Sequence, residues 1–187
     1  MAGIALRVVV IALGLGSCAT AELPRWASDG DDVDVFRAVL SSNCERPEGK
    51  FIVVSDASPL PGHSDLPADW VSSSSLSAVL SQRSQVRIRW PHVKACAGAH
   101  VVDESVIQSL FAQDTRVPPG WEAFYSHFPG ATGLVRVSLP AFTSDRKRAV
   151  VYAETRCGTS CGSGFYVELG KKKGVWSILR QATAWIS

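Results

Sequence analysis

The sequence predicts an α+β fold: an antiparallel C-terminal β-meander of about four strands, with three or four helices packed on one face of it. Two observations carry this. The C-terminal third holds four strand-like runs, Leu134 to Leu139, Ala149 to Arg156, Gly164 to Gly170 and Val175 to Ala184, separated by short stretches of turn residues. Upstream, apolar residues recur at helical spacing in segments bounded by Pro, Gly and capping residues.

The chain opens on a segment that reads as an export signal rather than as structure. Met1 to Arg7 carries one positive charge, Val8 to Leu15 is an unbroken apolar run, and small residues follow. The run is too short to cross a bilayer, which takes about 20 apolar residues. Two cleavage readings overlap. Leu15-Gly16-Ser17-Cys18 resembles the lipobox of bacterial lipoproteins, in which Cys18 is lipidated and becomes the N-terminus, whereas Ala19-Thr20-Ala21 fits ordinary signal peptidase. The expected organisation is a signal over residues 1–21 (ending at 17 in the lipobox version), a tether over 22–30 and one domain over 31–187. The protein is then exported, as a periplasmic or outer-membrane lipoprotein or as a secreted protein.

Both cleavages leave Cys44, Cys96, Cys157 and Cys161, an even number that in an exported chain reads as a disulfide framework. Four cysteines allow three pairings. Cys157 and Cys161 are separated only by Gly158-Thr159-Ser160, which suits a bridge closing a tight turn between strands, and Cys44 then pairs with Cys96 by elimination.

Along the mature part, Asp32 is placed to cap a helix whose Val35, Phe36, Val39 and Leu40 share a face. Phe51 to Val54 reads as a buried strand, followed by a Pro-rich irregular loop. Ser74 or Ser75 caps a second helix through Leu76, Val79 and Leu80. Residues 86–90 alternate Val86, Ile88 and Trp90 with Arg87 and Arg89, the pattern of a half-buried strand with a basic outer face. Asp103 caps a helix carrying Val106, Ile107, Leu110 and Phe111, and a short helix puts Trp121, Phe124, Tyr125 and Phe128 on one side. In the meander, Val135, Val137 and Leu139 oppose Arg136 and Ser138, and Phe165, Val167 and Leu169 oppose Tyr166 and Glu168.

Composition narrows the function. About 165 residues remain after cleavage, enough for a proper core. A hydrophobic content of 46% with six tryptophans excludes a disordered chain. The formal net charge is +2, and one of those charges, Arg7, leaves with the signal, so there is no electrostatic footprint for nucleic acid.

The segment from Trp121-Glu122-Ala123-Phe124 and Phe128-Pro129-Gly130, through Cys157-Gly158 and Cys161-Gly162-Ser163-Gly164, to Gly174-Val175-Trp176 and Trp185-Ile186-Ser187 resembles a group of uncharacterised exported bacterial proteins. The resemblance covers about the last third of the chain. It implies a secreted protein and supplies no catalytic residues.

Four constellations that could carry chemistry each have a plainer reading. Gly158-Thr159-Ser160-Cys161-Gly162 matches the Gly-x-Ser-x-Gly nucleophile elbow, but a strand rather than a helix follows it, and the last histidine of the chain, His127, precedes it. Cys96 and His100 with Cys157 and Cys161 have the ligand types for zinc; their spacing is unlike a zinc knuckle, and an oxidising compartment favours disulfides. Cys157 and Cys161 are not Cys-x-x-Cys, so the structural bridge outranks a redox dithiol. His63 with Asp65, His92, His100 with Asp103 and Glu104, and His127 are the remaining acid–base candidates, His100 foremost for its two nearby carboxylates. No metal or cofactor is expected.

One surface feature stands out. Successive turns of a meander alternate ends, so the turns holding Arg146-Lys147-Arg148 and Lys171-Lys172-Lys173 fall at the same end, opposite the cysteine-bearing turn. Six cations brought together would attract an anionic envelope surface or an acidic protein. The expectation is an exported, disulfide-stabilised envelope accessory or binding module, with the membrane engaged only through a lipid anchor. The alternative is a periplasmic hydrolase built on a histidine and a carboxylate.

Overall fold

The computed structural model describes residues 25–26, 30–41, 44–57, 66, 70, 73–84, 88–90, 96–112 and 120–187. The expected signal segment with Cys18, tether residues 22–24 and 27–29, and the loop residues His63, Asp65 and His92 lie outside the described residues. In chain order the first elements are β1 (Arg25–Trp26), α1 (Gly30–Leu40), β2 (Phe51–Ser55), α2 (Ser73–Ser84), β3 (Ile88–Arg89) and β4 (Ala99–Val102). Then come α3 (Glu104–Phe111), α4 (Trp121–His127), β5 (Ala131–Val137), β6 (Ala141–Phe142), β7 (Arg148–Gly158), β8 (Cys161–Lys172) and β9 (Val175–Ile186).

The fold is α+β, but its sheet is larger than a four-stranded meander and is not purely antiparallel. Seven strands lie in the order β4-β2-β5-β7-β8-β9, with β6 paired to β7. From β5 onward neighbours are antiparallel, as the alternation predicts. β2, however, runs parallel to both β4 and β5. Parallel neighbours are joined by long crossovers instead of hairpins, so no local turn signal announces them. Residues 52–55 of β2 are buried, which accounts for its continuous apolar run.

Helices also cover both faces of the sheet rather than one. Side chains alternate across a strand, and Ile52, Val54, Val135, Val137, Val151, Val167 and Leu169 meet Val35, Phe36, Val39 and Leu40 of α1 in one core. Trp90 completes this layer: it stacks on Phe36 with ring centroids 4.3 Å apart and donates its indole N–H to the Val137 carbonyl at 2.9 Å. On the opposite face, Val53 and Leu134 pack against Ile107 and Leu110 of α3 and Phe124 of α4. Farther along that face, Val150, Tyr152 and Tyr166 pack against Leu76 and Leu80 of α2. The second face is apolar because β7 and β8 carry Val150, Tyr152 and Tyr166 where a solvated strand would carry polar residues.

Several local expectations are corrected. α1 starts at Gly30, so Asp32 lies inside the first turn rather than capping it. Asp32 is buried, and both its carboxylate oxygens accept from Arg83 Nη2 of α2 at 2.9 Å. The basic strand expected over 86–90 is reduced to β3, which pairs with β1; residues 86–87 are outside the described set. Arg89 does not point to solvent as a free charge: it pairs with Asp103 at 2.5 Å and Asp56 at 3.4 Å. Asp103 caps α3, accepting from the Ser105 amide at 2.8 Å.

Two disulfides hold the fold. Cys44–Cys96 (Cα–Cα 5.5 Å) joins the segment after α1 to the segment before β4, and Cys157–Cys161 (5.1 Å) closes the β7–β8 hairpin. Among the described residues no helix is long and apolar enough to cross a membrane.

Candidate functional site

The two cationic turns adjoin. The β8–β9 hairpin turns through Lys173 (φ 51°) and Gly174 (φ 83°), the two consecutive positive φ angles of a type I′ turn. The turn between β6 and β7 is built on Asp145, which accepts from the Thr143 hydroxyl at 2.7 Å and the Lys147 amide at 3.1 Å. These two donors hold the Asp145 carboxyl below the usual carboxylate range. The Lys171 amide donates to the Lys147 carbonyl at 2.8 Å, fastening one turn to the other.

The six cations divide into two groups there. Asp31, in the first turn of α1, accepts from Lys171 Nζ at 2.5 Å, Arg146 Nε at 3.1 Å and Trp176 Nε1 at 3.1 Å. Lys171 foremost, then Trp176 and Arg146, bring the Asp31 pKa down from 3.8 to about 2. Arg148 reaches the buried Glu168 at 2.7 Å, and Arg180 reaches the same carboxylate at 2.5 Å. Lys147, Lys172 and Lys173 are exposed and make no side-chain ion pair with a carboxylate among the described residues, although Asp145 lies within electrostatic reach of Lys147. The basic end therefore presents three open charges, and its other three cations bind structure.

The histidine and cysteine candidates are not brought together. His100 lies exposed on β4 with its ring stacked on Phe51 at 4.2 Å. The two carboxylates near it in sequence have other partners: Asp103 holds Arg89 and the start of α3, and Glu104 holds Arg136 at 2.9 Å and the Ser55 hydroxyl. The Ser105 hydroxyl and amide, followed by Arg89, lower the Asp103 pKa from 3.8 to about 2. His127 is exposed at the end of α4 against the Phe128 ring. Ser160 sits in the two-residue turn between β7 and β8, followed directly by a strand. The two disulfides take up all three thiols of the zinc and dithiol readings, Cys96, Cys157 and Cys161.

The feature that sequence reasoning missed is a cleft of about 400 Å³ on the α3–α4 face of the sheet. Ile107 and Phe111 of α3, with Trp121 and Leu134, form its apolar walls. Its charged floor comes from cross-strand pairing. β5 and β7 set Arg136 opposite Glu154, and Leu134 opposite Arg156. Arg136 Nη2 binds Glu104 at 2.9 Å and Nη1 faces Glu154 at 3.5 Å, while Arg156 Nε lies 3.6 Å from the same Glu154 oxygen.

Tyr152 and Trp185 pack beneath this floor and steady it. Tyr152 donates to Glu154 at 3.4 Å and accepts from Trp185 Nε1 at 2.7 Å; burial, chiefly, raises the Tyr152 pKa. The Arg156 guanidinium lies 5.0 Å over the Trp185 ring. Trp185 can lie there because residue 164 is glycine: a Cβ at that position would collide with the indole and with the Tyr152 hydroxyl. The rim of the cleft is the disulfide-closed hairpin at Gly158 and Thr159, which Tyr125 of α4 holds by a 2.9 Å hydrogen bond to the Cys157 carbonyl. At the α4 side Gly120 takes φ 70°, and a Cβ there would press on the Phe111 ring at 3.1 Å. The only sequence signal for this site was opposite charges at polar positions of strands that pair.

No protein-family model, curated protein or solved structure matches the chain. The fold and its sites therefore stand on the chain's own geometry: a disulfide-closed α+β domain with a basic end and, at the opposite end of the meander, a cleft.

Proposed function

We propose that this protein is an exported envelope binding module that docks on an anionic surface through its basic end. A leader ending at residue 17 directs export, and lipidation at Cys18 tethers the chain to the membrane on which it docks. The observation that carries the reading is the Lys171–Lys147 main-chain bond, which makes one surface of the two cationic turns. Anionic lipid or lipopolysaccharide is the surface whose chemistry fits exposed lysines on tight turns.

Magnitude decides how such docking works. Each lysine near an anionic membrane is worth about 1 kcal/mol, so three open lysines supply about 3 kcal/mol. That is too weak to hold a free protein and sufficient to orient a tethered one. The remaining cations contribute less, because Arg146 and Lys171 share Asp31 and Arg148 is paired with Glu168 within the fold.

Sedimentation with anionic and with neutral vesicles tests this, using the exported protein. Binding to anionic vesicles should fall steeply with salt, since exposed charges are screened over about 10 Å at 0.1 M ionic strength. Replacing Lys147, Lys172 and Lys173 together by glutamine should abolish the excess of anionic over neutral vesicle binding, while any one replacement does little. Equal binding by wild type and triple variant would overturn the proposal and return these lysines to a solubilising role. Intact mass of the membrane fraction addresses the tether: a diacylglyceryl-modified chain starting at Cys18 supports it, and a soluble product starting at Glu22 removes it.

A further inference from the structure

The cleft is independent of the basic end, and its charges are arranged in two unequal pairs. Glu104 is saturated: it accepts from Ser55, from Arg136 at 2.9 and 3.3 Å, and from Gln108 at 3.5 Å. Arg136 in turn is held between Glu104 and Glu154. This inner pair closes the floor and offers a ligand nothing.

The outer pair is different. Arg156 has a side chain 52% exposed, and its one ion pair among the described residues is the 3.6 Å approach of Nε to Glu154, which leaves its two Nη groups without a carboxylate partner there. Its guanidinium lies 5.0 Å from the centroid of the Trp185 ring, a cation–π contact that restrains the side chain before a ligand arrives. Glu154 is mostly buried at 13% exposure, yet all its contacts are long, at 3.4, 3.5 and 3.6 Å. It retains acceptor capacity and faces the cleft.

We infer that this cleft binds a small zwitterion with an apolar side chain, of the α-amino acid class, with the ligand's carboxylate on Arg156 and its ammonium on Glu154. Charge selects the class. The cleft holds two guanidiniums and two carboxylates, so it is neutral. A simple anion drawn to Arg156 meets Glu154 beside it, and a simple cation drawn to Glu154 meets Arg156. Only a ligand with both signs on adjacent atoms is attracted by each and repelled by neither. The walls set the rest. Phe111, 39% exposed and edge-on to Trp121 at 5.1 Å, presents an open aromatic surface above Ile107 and Leu134. A volume of about 400 Å³ lies at the lower end of the range for small-molecule sites.

The test is a titration of the full exported protein followed by calorimetry and by fluorescence of Trp121, using three probes of one shape. Phenylalanine carries both charges, 3-phenylpropanoate lacks the ammonium, and 2-phenylethylamine lacks the carboxylate. Phenylalanine should bind saturably with one site, and each single-charge probe at least about tenfold more weakly, the cost of one lost charge-assisted contact. Arg156→Gln should weaken phenylalanine at least about tenfold while leaving 2-phenylethylamine no weaker than before. Because Arg156 is half exposed, that variant keeps the wild-type melting curve. Glu154→Gln should bring phenylalanine and 3-phenylpropanoate to equal affinity. No saturable phenylalanine binding up to about 10 mM would overturn the inference, as would 3-phenylpropanoate binding as tightly as phenylalanine. The lysine triple variant of the basic end should bind phenylalanine like wild type, since docking and the cleft occupy opposite ends.

Discussion

Asp31 joins helix α1 to both cationic turns, so replacing it by asparagine tests the packing and the surface electrostatics together. Its carboxylate is only 16% exposed and accepts from Lys171, Arg146 and Trp176. The fall in pKa from 3.8 to about 2 corresponds to about 2 kcal/mol of preference for the charged form in the folded state. Arg146 and Lys171 are 43% and 29% exposed, so solvent screens part of this and a loss of about 1–2 kcal/mol is expected in the Asp31→Asn variant. The sign follows from the depressed pKa. The contribution is complete above 3.8 and disappears as pH falls toward about 2. Urea unfolding of wild type and variant should therefore differ at pH 7 and converge between pH 4 and pH 2. A gap of the same size at both ends would refute an origin in the carboxylate charge. The same substitution removes the negative charge beside Lys171, so under the docking proposal the less stable variant should bind anionic vesicles more tightly than wild type.

Replacing both Cys44 and Cys96 by serine should cost roughly 4 kcal/mol, and Cys157 with Cys161 about 2 kcal/mol, because the first bridge spans 52 residues and the second 4; thermal melts of the two double variants measure the order. Glu168→Ala removes the shared partner of Arg148 and Arg180 from a buried position, and since both arginines can rehydrate the loss should be about 2 kcal/mol rather than the 3–5 kcal/mol of a fully buried pair. Trp90→Ala deletes the ring between Phe36 and Val137 and should cost about 3–5 kcal/mol by denaturant titration. Gly164→Ala should displace the Trp185 indole from Tyr152, visible as a shift in tryptophan fluorescence with weaker binding in the cleft.

What the amino-acid sequence determined alone was local or close to it. The alternation in the last third set the antiparallel strands and the faces of Val135, Val137, Val167 and Leu169. The spacing of Asp103 from Ile107 and Leu110 set a capped helix, and the three residues between Cys157 and Cys161 set a hairpin bridge that left Cys44 to Cys96. Tertiary structure decided the rest. β2 lies parallel to β4 and β5, an arrangement made through crossovers that leave no turn signature. Asp31, 140 residues from Lys171 and 115 from Arg146, ties up two of the six cations of the basic end. Arg136, read from the sequence as the polar side of its own strand, and Glu154 became a cleft floor when β5 paired with β7 and α3 brought Glu104 across them. Periodicity reports which face a residue takes within its own element. What lies opposite that face depends on packing between distant segments, where burial and charge pairing act without regard to separation along the chain.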